Sequence, residues 1–98
     1  MTEGLRIPER VRIGPQTYTV HVVPVPNQPA ALGWCNPATC EMWVAPAPTK
    51  RMEQIFVHEI LHAIAAEVGL EIDDETITPL EHGLYEFICD NPEVFRAE

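Results

Sequence analysis

The distribution of proline most constrains how this chain can fold. The 98-residue sequence contains ten prolines, and eight of them precede residue 49. Proline has no backbone N–H and a fixed φ, so it ends helices and is excluded from the interior of a sheet. The first half of the chain is therefore restricted to short strands and loops, and long helices to the second half. A chain of this length forms one domain, which we predict to span residues 1–98.

Residues 5–45 have the residue pattern of strands. In the segment QTYTVHVVPV, the apolar residues Tyr18, Val20 and Val22 occupy alternate positions and are predicted to face a core. The segments ALGWC and CEMWVA flank the turn sequence NPAT, which predicts a second hairpin with its two tryptophans across from each other. The two hairpins together predict a small antiparallel sheet.

From residue 49 the spacing of apolar residues changes from the strand period to the helical one. Apolar residues recur every three or four positions, which predicts a helix over residues 49–68. Thr49 is the expected N-cap, and Gly69 is expected to follow the last turn. With a second helix further along the chain, the fold class is predicted to be α+β: a small sheet packed on two C-terminal helices.

The second helix is predicted over residues 73–90, and its start has two interpretations. Asp73 or Asp74 can cap a helix that continues through an internal proline. Alternatively, Thr78 can be the N-cap, with the proline in the first helical position and Glu81 completing a capping box. The sequence leaves both starts open.

Charge and composition exclude several classes of function. The formal net charge is −9, and twelve of the fifteen acidic residues lie between residues 53 and 98. Such a surface repels phosphates and anionic lipids, so we expect neither a nucleic-acid nor a membrane partner. The opening sequence MTEGLRIPER lacks the apolar region of a secretory signal, and an odd count of three cysteines argues against a disulfide framework. We therefore expect a cytoplasmic protein.

The segment VHEILH carries the strongest chemical signal in the sequence. On a helix, positions i and i+4 stack on one face, so His58 and His62 can direct two imidazole nitrogens at one cation. Glu59 is displaced by one position around the helix, from which its carboxylate can act as general base on a metal-activated water. Without such a role, this apolar helix would bury polar groups at a cost. The spacing therefore predicts a Zn²⁺ site of the H-E-x-x-H type.

A catalytic zinc site needs a third protein ligand and one open coordination position. The predicted second helix offers four candidates: Asp74, Glu75, Glu81 and His82. Some of them also have a structural interpretation, Glu75 as an acid in a first helical turn and Glu81 as a capping-box partner. His82 is interpreted as a surface residue. The spacing of the sequence alone does not choose among them.

The segments VHEILHAI and DDETITPLEHGLYEFICDNPEVF resemble small metallopeptidase-like proteins encoded by phages and mobile elements. These are compact relatives of the gluzincin and ImmA/IrrE-type peptidases, and the resemblance covers residues 41–94. It implies a minimal zincin-like fold, with Glu75 in an E-x-I pattern as the third metal ligand. Because Pro79 interrupts the second helix and the connection from His62 to Glu75 is short, Glu81 is kept as the alternative third ligand. It also implies that CEMWVAP is the edge strand of a cleft, where it pairs with an extended substrate.

The motif and the resemblance together predict a zinc-dependent metallopeptidase that hydrolyses a peptide or protein substrate. If the chain is phage-encoded, its location is the cytoplasm of the host cell. A second hypothesis keeps the zinc and omits catalysis, so that the ion stabilises a binding or regulatory module. A third is a metal-free interaction protein that uses the acidic C-terminal half as its partner surface. The sequence predicts neither the substrate nor the oligomeric state.

Overall fold

Four short strands precede two long helices in the computed structural model, which describes residues 7–94. The elements are β1 (Arg10–Ile13), β2 (Gln16–His21), β3 (Gly33–Asn36), β4 (Glu41–Val44), α1 (Thr49–Glu67) and α2 (Asp74–Asp90). The strands form one sheet that packs against the helices, and the predicted α+β class is confirmed. The predicted start of the strand region at residue 5 and the two ends of the predicted domain lie outside the described residues.

The sheet has the strand order β1-β2-β4-β3. The pairs β1–β2 and β3–β4 are antiparallel hairpins, as predicted, whereas β2 and β4 run parallel. The sheet is therefore mixed rather than entirely antiparallel. The loop over residues 22–32 is long enough to carry the chain past the position of β4, so the second hairpin docks with its more apolar strand inside.

The edge strand beside the helices is β3, and β4 is internal to the sheet. The expectation that CEMWVAP forms the edge strand is therefore wrong. Its residues Met42, Trp43 and Val44 are all buried, and such a strand gains more apolar burial inside a sheet than at its edge. The edge strand β3 instead carries Trp34, which stacks on Trp43 as predicted, with ring centroids 4.9 Å apart.

The core lies between the helix-facing side of the sheet and α1. Its buried residues alternate along the strands and recur with helical spacing along α1: Ile13, Tyr18, Val20, Met42, Val44, Ile55, Phe56 and Ala63. The predicted inward orientation of Tyr18 and Val20 is confirmed. Val22 was predicted to join them but is exposed, because β2 ends at His21 and the proline-rich loop begins.

Helix α1 has the predicted extent to within one residue. Pro48 is its N-cap and makes no side-chain cap hydrogen bond, so the predicted cap Thr49 is instead the first helical residue. At the other end Gly69 has φ +78° and donates its N–H to the Ala66 carbonyl at 3.3 Å. The N–H of Leu70 reaches the Ala65 carbonyl at 2.8 Å, so the helix ends in a Schellman motif and the predicted role of Gly69 is confirmed.

Helix α2 begins at Asp74 and has Asp73 as its N-cap. The Asp73 carboxylate accepts a hydrogen bond from the Thr76 N–H at 3.0 Å. Of the two predicted starts, the earlier one is therefore correct, and Pro79 lies inside the helix. The consequence for the site is that Asp74 occupies the first helical position, at the end of α2 that meets α1. Within the described residues, neither helix is long and apolar enough to cross a membrane.

Candidate metal centre

Two histidines on α1 form one side of the candidate site. His58 and His62 are one helical turn apart, and their ring centroids are separated by 5.0 Å with an interplanar angle of 61°. Both side chains are partly buried, with 18% and 28% exposure. The helix therefore presents two imidazoles to one point, as the H-E-x-x-H spacing predicted.

Asp74 brings a carboxylate from α2 to the same point. Its Oδ1 lies 2.9 Å from Nε2 of His58 and 2.7 Å from Nε2 of His62, so one oxygen is hydrogen-bonded to both rings, and the tautomer of each ring decides which atom carries the proton. These bonds, led by the one from His58, hold the pKa of Asp74 below its usual value. Among the described residues, His58, His62 and Asp74 are the group whose ligand atoms all lie within 4.8 Å of one another.

The structure brings Asp74, and not Glu75, to the imidazoles. Glu75 was preferred as the third ligand from the resemblance, but in the described chain it is exposed and stands outside the cluster. The buried residues Ile77 and Glu81 lie one and two turns beyond Asp74 on the same face of α2, whereas Glu75 is rotated by about 100° from Asp74 around the helix axis. The N-cap at Asp73 was one of the helix starts that the sequence left open. This start places Asp74, rather than Glu75, next to the two histidines.

Glu59 is buried at the wall of the same cavity. A Cβ built on Gly33 would lie 2.8 Å from Oε2 of Glu59 and 2.7 Å from Cγ2 of Ile55, so the carboxylate lies directly against the β3 backbone. Burial, followed by the negative charge of Asp74, raises the pKa of Glu59 to about 8. In the absence of a nearby cation, this carboxyl group therefore carries a proton at neutral pH.

Glu81 lies behind His58 rather than beside the cluster. Its Oε1 is 3.7 Å from Nδ1 of His58, the ring nitrogen that faces away from Asp74. The other oxygen, Oε2, is buried and has no hydrogen-bond partner among the described residues. In this structure, Glu81, the alternative third ligand predicted from the sequence, lies outside the cluster of His58, His62 and Asp74. His82, the remaining candidate, is exposed and lies in the cavity wall.

These side chains line a cavity of about 770 Å³ between β3 and the two helices. The opposite wall is formed by residues of β3 and its flanks: Leu32, Gly33, Trp34, Cys35 and Pro37. Leu32 and Trp34 are exposed apolar residues there, while the backbone of β3 has no further strand beside it in the described sheet. One side of the cavity is thus polar and acidic, and the other is apolar with an open strand edge.

Comparisons with protein-family models, with curated proteins and with solved structures find no match to this chain. Two imidazole nitrogens and one carboxylate oxygen are the three-ligand set that hydrolytic zinc sites use, with further positions left for solvent and substrate. The donor set of His58, His62 and Asp74 fits zinc on this criterion.

Sequence reasoning missed Gly33 as a residue of the site. An isolated glycine inside a strand pattern is a signal of close backbone approach, and the segment ALGWC contained that signal. The neighbour in contact with it, Glu59, is 26 positions away in the sequence. Only the packing of β3 against α1 shows that the absence of a Cβ on Gly33 leaves room for the side chain of Glu59.

Proposed function

We propose that this protein is a zinc-dependent, metallopeptidase-like hydrolase of peptide bonds. The observation that carries the proposal is the convergence of His58 Nε2, His62 Nε2 and Asp74 Oδ1, with Glu59 in the wall of the same cavity. The resemblance to compact phage-type zincins supports the same reading. The proposed ligands are the two histidines and Asp74, and Glu59 is the proposed catalytic residue.

Each residue has a chemical task in this proposal. Zinc, when bound, supplies Lewis acidity that lowers the pKa of a water ligand and polarises a peptide carbonyl. Glu59 accepts the proton that the attacking water releases and delivers it to the leaving amide nitrogen as the C–N bond breaks. Its contact with Gly33 limits the positions that the carboxylate can adopt, so the acceptor oxygen is held in place before the substrate arrives.

The substrate class follows from the opposite wall of the cavity. The free edge of β3 offers backbone donors and acceptors to a chain in extended conformation, which is the mode of strand addition. Exposed Leu32 and Trp34 offer apolar contact to side chains of that chain. We therefore propose a peptide or an unfolded protein segment as substrate, rather than a small polar molecule.

The direct test is metal analysis of the purified protein beside single alanine variants. We expect about one zinc per chain in the wild type and loss of stoichiometric zinc in His58→Ala, His62→Ala and Asp74→Ala. Glu75→Ala is the matched control, because it removes the neighbouring acid and should retain zinc. Zinc that persists in both histidine variants would contradict the proposal, and retention in Asp74→Ala with loss in Glu75→Ala would restore the sequence assignment.

A second candidate function is a zinc-stabilised binding or regulatory module without catalysis. The observation that favours it is that the three candidate ligands lie on two different helices, so an ion would link α1 to α2 in a small domain with a modest core. Glu59→Gln separates the two functions. A hydrolase loses peptide turnover in this variant while it keeps zinc and fold, whereas a purely structural site shows no turnover in the wild type.

A further inference from the structure

Glu81 is a buried acid to which the proposed function assigns no task. It is 6% exposed, and its Oε2 has no hydrogen-bond partner among the described residues. A carboxylate that is buried without a full set of partners costs stability, and such groups are retained where they have another role. Glu81 lies on the face of α2 that begins with Asp74, two helical turns further along the chain.

The position of Glu81 relative to His58 indicates this role. The His58 ring stands between two carboxylates: Nε2 is 2.9 Å from Asp74 Oδ1, and Nδ1 is 3.7 Å from Glu81 Oε1. The two contacts use opposite ring nitrogens. For His62, by contrast, the contact with a carboxylate that the structure gives is the one from Nε2 to Asp74.

We propose that Glu81 is the positioning residue of the metal centre, and that it accepts the Nδ1–H proton of His58. This rests on the proposed metal site at Nε2 of His58, His62 and Asp74. An imidazole that donates its Nδ1–H to a carboxylate keeps the lone pair on Nε2, becomes a better ligand and cannot rotate freely. The present separation of 3.7 Å exceeds a hydrogen bond, so the proposed contact requires the two side chains to move closer together when the metal binds.

Two other roles for Glu81 fit the structure less well. A capping-box role with Thr78 requires a helix that starts at Thr78, but α2 starts at Asp74. A role as the third ligand requires Glu81 to reach the Nε2 side of His58, whereas it faces Nδ1. The exposed His82, with Nε2 3.7 Å from Glu81 Oε2, approaches the second carboxylate oxygen and leaves Oε1 to His58.

The first test measures zinc affinity by competition with a chromogenic chelator. Loss of a carboxylate behind a histidine ligand typically weakens metal binding roughly 10–100-fold, which we expect for Glu81→Ala. Glu81→Gln keeps a neutral acceptor and should fall between Glu81→Ala and the wild type. Glu75→Ala, an exposed acid on the same helix, should bind zinc as the wild type does. Equal affinity in Glu81→Ala and Glu75→Ala would overturn the assignment.

The second test reads the proton directly, by ¹⁵N NMR of the imidazole groups in the zinc-loaded wild type. We expect the His58 signals of an Nδ1–H tautomer with Nε2 as the ligand atom, and a proton that exchanges slowly with water. In Glu81→Gln this exchange should accelerate, because the amide is the weaker acceptor. Ligation of zinc through Nδ1, or unchanged exchange in Glu81→Gln, would overturn the role of Glu81. This readout does not depend on whether Glu81→Ala folds.

The two proposals fail in different ways. If the wild type binds zinc through His58 and His62 while Glu81 variants leave affinity and exchange unchanged, only the role of Glu81 is lost. If zinc binding survives both His58→Ala and His62→Ala, or if the wild type binds no zinc, the metal centre itself is lost and the role of Glu81 with it.

Discussion

The carboxyl group of Glu59 is held in an environment that favours its protonated form. Its pKa of about 8 lies above its ordinary value of 4.5, with burial as the main cause. Between these two pH values the folded, metal-free protein binds more protons at this position than the unfolded chain does. Stability from this group is therefore fully present below about pH 4.5 and is lost as the pH rises towards about 8.

We therefore predict that the metal-free protein loses thermal stability between about pH 5 and pH 8. Glu59→Gln removes the titrating group and should lack this part of the pH dependence. The measurement is the melting temperature in the presence of a chelator, at several pH values for both proteins. Parallel curves for wild type and Glu59→Gln would show that Glu59 does not cause the loss.

Gly33 and Gly83 provide a matched pair of alanine substitutions. A Cβ on Gly33 would lie 2.7 Å from Ile55, 2.8 Å from Glu59 and 3.0 Å from the Trp43 carbonyl, whereas a Cβ on Gly83 meets nothing within 4 Å. Overpacking of this kind typically costs about 1–3 kcal/mol, so Gly33→Ala should unfold at lower urea concentration. Gly83→Ala in the interior of α2 should gain roughly 0.5–1 kcal/mol.

The same pair tests the arrangement of Glu59. For the proposed hydrolase, Gly33→Ala should also reduce peptide turnover more than zinc content, because the added methyl group would displace the Glu59 carboxylate and leave the three proposed metal ligands in place. Gly83→Ala should leave both unchanged. Equal stability of the two variants in urea would contradict the close packing of Gly33 against Ile55 and Glu59.

At the level of elements, α1 and α2 are also joined by a buried hydrogen bond away from the cavity. The hydroxyl of Tyr85 donates to Oε1 of Glu53 at 2.6 Å, and both residues are almost fully buried. Burial raises the pKa of Tyr85, so the hydroxyl keeps its proton and its role as donor. Because Glu53 is buried, water cannot readily replace the Tyr85 hydroxyl as its hydrogen-bond donor.

Tyr85→Phe should therefore destabilise the protein by about 1–3 kcal/mol in urea unfolding, the typical cost of leaving a buried acceptor without its donor. Tyr18→Phe is the comparison. The Tyr18 hydroxyl donates to Glu67 at 3.2 Å, and although Tyr18 is buried, Glu67 is only partly buried, so water can reach the acceptor. The loss in Tyr18→Phe should be smaller, and a loss as large as that of Tyr85→Phe would contradict this account of the α1–α2 contact.

The elements differ in how far the sequence predicts them. Helix α1 followed from its apolar period and from Gly69, which are local signals. The parallel pairing of β2 with β4 depends on which strand of the β3–β4 hairpin docks against β2. The local sequence of the hairpin does not determine which of the two strands does so. For α2, the sequence fits an N-cap at Asp73 and a capping box from Thr78 to Glu81 equally well. Packing decided between them by burying Ile77, which lies between the two starts.

The candidate site shows the same division. His58, Glu59 and His62 were predicted from spacing within one helix, and the two histidines do meet at one point. The proposed third ligand lies across the connection between the two helices, where a shift of one residue exchanges Asp74 for Glu75. The distance between ligands on different elements is set by tertiary packing, and the sequence pattern carries no measure of it.

At the level of the whole molecule, zinc should contribute to global stability. The proposed ligands connect the two helices of a small domain, and a ligand that binds only the folded state adds about 2.7 kcal/mol when its concentration is one hundred times its Kd. We expect added zinc to raise the melting temperature and a chelator to lower it. His62→Ala, with one ligand removed, should respond to neither.

A wild-type melting temperature that is insensitive to both zinc and chelator would favour the metal-free interaction protein. In that case the acidic second half of the chain, with its exposed apolar residues on α2, is the expected partner surface. A shift of equal size in His62→Ala would instead indicate that zinc binds elsewhere on this strongly acidic molecule.

The position of Asp74 next to the cap of α2 has a consequence for the time at which the proposed metal centre is complete. While synthesis has reached only residue 72, the nascent chain contains both imidazoles and Glu59 but neither the cap nor the bridging oxygen. The first turn of α2 carries the proposed third ligand. The proposed metal centre is therefore complete only when α2 has docked on α1, and a hydrolase of the proposed kind would begin to act only then.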